Sequence, residues 1–222
     1  MKADELRPRP RATCIAPRSP HLFMSRRISS VLILVAAVIS AGCVWSVPEP
    51  VLVREPRPEA IPLRIGVYYS PEFRNYTCGD GFSRTVSILG KPSVQLFHEA
   101  LRLLFLEVVE VPRPGSEASL RGDLAGVIEP QIVSAREEYG INQVAVWAVD
   151  VTYRFTLSSP NGAPLASWEV TGQGEGPISF SQLTPKQSYG LAMREAAWKF
   201  TSGFHNIPEI RRWLAEQTGR KD

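Results

Sequence analysis

Few side chains in this 222-residue chain stand where chemistry would need them, and the cysteines come first. There are three: Cys14, Cys43 and Cys78. Cys43 follows Ser40-Ala41-Gly42, the apolar run Val31 to Ile39 and, further upstream, Arg26 and Arg27. Basic residues, an apolar core and small residues at its end are the three parts of a secretory signal peptide. Cys14 lies upstream of the end of that leader and Cys43 at it, so Cys78 is the one cysteine well inside the exported part. It is then open to an intermolecular bridge, to reactivity as a free thiol, or to burial as a small apolar side chain.

The remaining chemistry-bearing residues do not assemble into a motif. His21 precedes the cut, and His98 and His205 stand far from each other and from any cysteine. No HExxH, CxxC or paired-histidine spacing is present, so neither a metal nor a cofactor is expected. GxSxG, the P-loop and a GxGxxG with its acidic partner are also missing. Gly172-Gln173-Gly174-Glu175-Gly176-Pro177 is glycine-rich, but it reads as turn chemistry at the end of a strand. Ser188, His98 and Asp150 make the kind of chance triad that any chain of this length supplies. Asn75-Tyr76-Thr77 matches a glycosylation sequon. The expectation is a protein that is not an enzyme.

Aromatics are the more suggestive group. Tyr68, Tyr69, Phe73, Tyr76 and Phe82 cluster around one strand and a polar loop that follows it. Phe73, Tyr76 and Phe82, with Arg74 and Arg84 beside them, are the candidate partner contacts, because such residues anchor protein interfaces. Core packing is the competing account for Tyr69 and Phe73.

Charge excludes one class of partner. The chain has 25 basic and 22 acidic residues, net +3. Residues 1–42 hold seven of the basic and two of the acidic ones, leaving 18 and 20, net −2, once a leader is removed. The basic character belongs to the leader, so no nucleic acid is expected as a partner.

The elements follow from pattern. Residues 1–23, with four prolines and no apolar period, read as a misassigned or disordered extension, and Met24 opens a leader of ordinary size over 24–42. Residues 43–62 read as a Pro-rich tether of extended segments, long enough to hold a domain up to roughly 50 Å from a membrane. A globular domain is expected over 63–222. Leu63, Ile65, Val67 and Tyr69 alternate as a strand, and 71–92 reads as a long loop. A helix capped by Ser93 carries Val94, Phe97, Leu101, Leu104 and Phe105, and a strand runs from Leu106 to Val111. Gly126 to Val133 reads as a strand that Pro130 demotes to an edge or a bulge. Trp147, Val149, Val151, Tyr153, Phe155 and Leu157 line one face of the clearest strand. The Asn161-Gly162 turn returns it through Leu165 to Thr171. Two helices close the chain, one opened by Thr184-Pro185-Lys186-Gln187 and one by Asn206-Ile207-Pro208-Glu209. The order β-α-β-β-β-β-α-α predicts an α+β domain, a mainly antiparallel sheet of about five strands with helices on one face.

Two resemblances add to this reading. Ser40-Ala41-Gly42-Cys43 resembles the lipobox of bacterial lipoproteins, with Ser40 where that family usually has leucine. It implies that the leader is cut before Cys43 and that Cys43 carries the lipid. Val44, not an aspartate, then follows it, which in those lipoproteins favours the outer membrane, facing the periplasm. An uncleaved inner-membrane signal anchor over Ile28 to Val47 is the alternative, and both export the rest of the chain to the same side. The phrase IGVYYSPEFRNYTC, the Tyr153-to-Trp168 hairpin and the closing AMREAAWKF and PEIRRWL resemble proteobacterial envelope lipoproteins of uncharacterised function. The element order is similar to a small domain of penicillin-binding-protein activator lipoproteins, of the curli secretion lipoprotein and of the amino-terminal part of the Tol propeller protein. This implies a membrane-bound, non-enzymatic adaptor in an envelope complex with a protein partner. A lipid or glycan carrier is the alternative, and it needs an apolar groove between sheet and helices.

Overall fold

The computed structural model describes residues 44–46, 60–79, 86–120, 123–141, 145–177 and 186–219. Its strands are β1 (Val44–Ser46), β2 (Ile61–Val67), β3 (Thr77–Cys78), β4 (Val86–Ile88), β5 (Phe105–Glu110), β6 (Gly126–Ile141), β7 (Ala145–Ser158) and β8 (Pro164–Pro177). Its helices are α1 (Pro71–Arg74), α2 (Gly90–Leu104), α3 (Glu117–Leu120), α4 (Lys186–Gly203) and α5 (Pro208–Thr218). A 3-10 turn over Phe204–Asn206 joins the last two.

Five strands form one sheet in the order β5-β2-β6-β7-β8. The pairs β6–β7 and β7–β8 are long and antiparallel, while β2 lies parallel to both β5 and β6. The domain is α+β with a mostly antiparallel sheet; leaving aside the short β1, α1, β3, β4 and α3, its elements follow the order expected from the sequence. The parallel arrangement of β2 follows from its connection: α2 carries the chain from β2 back to β5 on one face.

The period-two face of β7 is the centre of the core. Val149, Val151, Tyr153, Phe155 and Leu157 are each at most 1% exposed. Phe97 of α2 packs edge-on to Tyr153 and Phe155, with centroids 4.6 and 5.0 Å apart. Phe200 of α4 lies 4.4 Å from Phe155, and Phe204 closes on Phe105 at 5.5 Å. The opposite face is polar: Arg154 bonds Glu169 at 2.7 Å, Arg64 bonds Glu107 at 3.0 Å, and the hydroxyls of Thr152 and Thr171 meet at 2.9 Å.

Several expectations are corrected. The stretch 71–92 contains α1, β3, β4 and the start of α2. Gly90 explains why the helix begins four residues early. A Cβ there would stand 2.2 Å from the carbonyl oxygen of Arg74, so only glycine lets α2 start against the end of α1. Ser93 is therefore inside the helix, buried, with its hydroxyl 3.0 Å from that of Tyr153. The final helix is preceded by Ile207, which makes no side-chain capping bond, and Pro208 occupies its first turn.

The glycine-rich stretch is also strand, not turn. Gly172, Gly174 and Gly176 alternate along β8 on the face under α4. A Cβ on Gly172 would lie 1.9 Å from the Ala192 carbonyl oxygen, and one on Gly174 would lie 2.0 Å from that of Ser188. Ser188, Ala192 and Ala196 recur every fourth residue on the facing side of the helix, all buried. Two matched rows of small residues bring helix and strand backbones together. Gly190, in contrast, has no atom of the described residues within 4 Å of where its Cβ would be, its own helix backbone aside. Gly190→Ala is expected to raise stability by about 0.5–1 kcal/mol in urea melts, because it removes a helix-interior glycine without a clash.

β6 is not an edge strand, since it lies between β2 and β7, but Pro130 falls past its pairing with β2. Among the described strands, β6 meets β2 only over Gly126–Ile128, and the Ile128 carbonyl accepts from Tyr68 N–H at 3.0 Å. Two residues on, Pro130 points its backbone the same way, where no ladder bond requires its missing N–H. A register shift follows between Ile132 and Ser134. Beyond it β6 continues to Ile141, paired with β7.

A second, three-stranded sheet has the order β1-β4-β3. β1 runs parallel to β4, with Val44, Trp45 and Ser46 opposite Val86, Ser87 and Ile88. Three residues of the expected tether are thus strand; residues 47–59 lie outside those described, as do the leader and Cys43.

Candidate functional site

Of the expected contact residues, Phe73 is placed in the core. It is 2% exposed, its backbone N–H is capped by the Ser70 hydroxyl, and its ring stacks on Tyr69 at 5.8 Å. This corrects its reading as a surface contact: α1 turns the ring inward. Tyr76 is half-buried, and its carbonyl accepts from both Leu89 and Gly90 N–H at 3.1 Å, tying β3 to the start of α2. Phe82 lies outside the described residues.

The structure instead brings three polar residues together that no motif links. β3 sets Cys78 opposite Ser87, the first turn of α4 supplies Tyr189, and the far half of β6 supplies Glu137. The Tyr189 hydroxyl donates to a Glu137 carboxylate oxygen at 2.6 Å and lies 3.0 Å from the Cys78 sulfur. A tyrosine has one hydroxyl proton, and here the carboxylate takes it. The thiol must then donate to the tyrosine oxygen, giving a chain S–H···O–H···carboxylate.

Burial pushes the Cys78 thiol above its ordinary range; a donor bond from Tyr189 to a thiolate would oppose this, and the Glu137 charge adds to the rise. Burial drives the Tyr189 hydroxyl upward as well, reinforced by its bonds to Cys78 and Glu137. Cys78 is accordingly held as a protonated thiol, the form that is neither nucleophile nor metal ligand. The arrangement ties three elements into one network. Ser188 is engaged elsewhere, its hydroxyl donating to the Trp147 carbonyl at 3.0 Å, and no hydrogen bond joins it to His98 or Asp150 among the described residues. Among those residues no three His, Cys, Asp or Glu side chains converge, and no helix is long and apolar enough to cross a membrane.

Two outcomes are expected. Tyr189→Phe keeps the ring but leaves the thiol and the carboxylate without their shared partner, and should lower stability by about 1–3 kcal/mol in urea melts. The second concerns pH. The folded thiol holds its proton more tightly than the unfolded one, so its contribution is complete below the ordinary thiol value near 8.5. It is lost as pH rises through the folded value. Melting temperature should fall as pH rises above the ordinary thiol range, and Cys78→Ala should flatten that fall.

No pattern in the sequence singles out Tyr189, which falls in the first closing helix, or Glu137, which follows the strand read from Gly126 to Val133. Tyr189 stands 111 residues from Cys78 and 52 from Glu137, so no local spacing could have joined them.

No family model and no curated protein matches the chain. It is similar to several solved structures at low identity. A minor lipoprotein from Acinetobacter baumannii is 6% identical over 69% of this chain and 96% of its own, with a TM-score of 0.43. A Xanthomonas campestris protein from a family of unknown function is 9% identical over 81% of this chain and 100% of its own, with a TM-score of 0.45. The PelC dodecamer from Paraburkholderia phytofirmans is 17% identical over 66% of this chain and 93% of its own, with a TM-score of 0.36. Likenesses of this order assign neither a family nor an activity.

Proposed function

We propose that this is a lipid-anchored envelope lipoprotein facing the periplasm, at the outer membrane, and that it serves as a non-enzymatic adaptor in an envelope complex. The observation that carries the anchor is the sequence Ser40-Ala41-Gly42-Cys43 behind a basic and apolar leader. The adaptor part is supported by the resemblance of the element order to assembly lipoproteins. It is supported too by the state of Cys78, the thiol remaining after acylation of Cys43, which is bonded and protonated instead of poised for attack.

The packing favours an adaptor over a lipid or glycan carrier. A carrier of this shape needs a groove between sheet and helices. Here Phe97, Tyr153, Phe155, Trp168, Phe200 and Phe204 fill that space with ring centroids 4.4 to 6.4 Å apart. Interiors packed to this degree have no space for an acyl chain without moving several rings.

Mass spectrometry of the mature amino terminus tests the anchor. The expected peptide begins at an acylated Cys43 followed by Val44; an unmodified peptide running from Ile39 through Cys43 would show an uncleaved anchor instead. Crosslinking in intact membranes tests the adaptor. Recovery of a defined protein partner is expected, and co-purification of stoichiometric lipid or glycan with no partner would transfer the assignment to the carrier.

A further inference from the structure

The chain emerging from Cys43 goes straight into the folded domain. Val44 is already paired with Val86, and Ser46 with Ile88, so no residue separates the acylated position from a hydrogen-bonded strand. The direction of the pairing matters as much as its existence. β1 is parallel to β4, and β4 runs toward Leu89 and the start of α2. The Cys43 end of β1 is therefore at the end of the small sheet away from α2. β3, antiparallel to β4 with Cys78 opposite Ser87, also finishes at that end.

We infer that β1 is a clamp that holds the lipid-bearing end against the domain, so that the bilayer lies beside the end of the β1–β4–β3 sheet away from α2 and residues 47–59 do not set its distance from the membrane. The inference rests on the lipid-anchor reading of Cys43. It differs sharply from what the prolines alone suggest. As an extended spacer, the tether would allow a stand-off of roughly 50 Å. With β1 paired, the domain starts within one inter-strand spacing of the anchored residue, about 5 Å. The segment from 47 to 59 then links two strands of one folded unit, and its length is irrelevant to reach.

Two insertions separate these arrangements. A ten-residue Gly-Ser insert adds about 18 Å as a flexible coil. In the first variant it is placed between Cys43 and Val44, upstream of the clamp; in the second it is placed within 47–59, downstream. The full-length lipidated protein, with Cys78→Ala and Gln217→Cys to carry a donor dye, is reconstituted into vesicles of phosphatidylethanolamine and phosphatidylglycerol containing an acceptor lipid. Energy transfer should fall clearly in the first variant and match the parent in the second. Equal loss in both would overturn the clamp, because the whole stretch would then be acting as a spacer. No loss in either would overturn it too, because the domain would be sitting on the bilayer without help from β1. Failure of the underlying reading is separately visible: the parent would show an unacylated Cys43 by mass spectrometry and would not be retained on the vesicles through a lipid.

Discussion

Gly174→Ala should leave no folded domain to study. A single methyl group there would come within 2.0 Å of the Ser188 carbonyl oxygen and 2.6 Å of the Ala192 nitrogen. Both are backbone atoms of α4, so no rotamer change relieves the clash; the helix must lift off β8. That movement would withdraw Tyr189, Met193 and Phe200 from a core in which each is at most 1% exposed. A loss above about 4 kcal/mol is expected, in the range reserved for severe core disruption and comparable with the whole stability of a marginal domain. Gly176→Ala is the control. Its Cβ would meet the Ser188 hydroxyl at 2.9 Å, the end of a rotatable side chain, so the expected loss is smaller. Circular dichroism and urea melts of the pair decide the matter; a folded Gly174→Ala protein of near-parental stability would refute the close approach of α4 to β8.

Phe155→Ala is the second large effect. The ring is 1% exposed and touches four others: Phe97 at 5.0 Å, Tyr153 at 6.4 Å, Trp168 at 5.6 Å and Phe200 at 4.4 Å. Its removal leaves a cavity bounded by α2, α4, β7 and β8, and these elements hold one another in place, so collapse into the gap is restricted. About 3–5 kcal/mol should be lost. A loss below about 1 kcal/mol would mean that this face of β7 is not the core.

How much of this was visible beforehand depended on how local each cause is. The alternation from Val149 to Leu157 and the Asn161-Gly162 turn identify the central hairpin because period and turn chemistry agree there, and Gly162 does take φ +90°. The small-residue row at 172, 174 and 176 was equally visible but was assigned to a turn. Read with a period of two, and set beside Ser188, Ala192 and Ala196 with a period of four, it states that a helix lies on a strand. α1, β3 and β4 are short, and contacts such as Gly90 against Arg74 determine them, so the chain between 71 and 89 showed polarity, glycine and aromatics without a period. The orientation of Phe73 was lost with them. The Cys78–Tyr189–Glu137 network has no signature at all, because it exists only once β3, β6 and α4 converge.

The open side of β6 bears on how such molecules behave when many are packed at one surface. Past Ile128 no described strand pairs with this side of β6, so a neighbour's strand could extend it, and the lipid anchor proposed above would hold that edge at high local concentration. The chain interrupts the offer three times. Pro130 removes a donor, the shift between Ile132 and Ser134 breaks the register, and Arg136, Glu137 and Glu138 place charge along the remainder. Each is a recognised obstacle to strand addition. Under crowding in two dimensions, this edge is therefore expected to stay unextended.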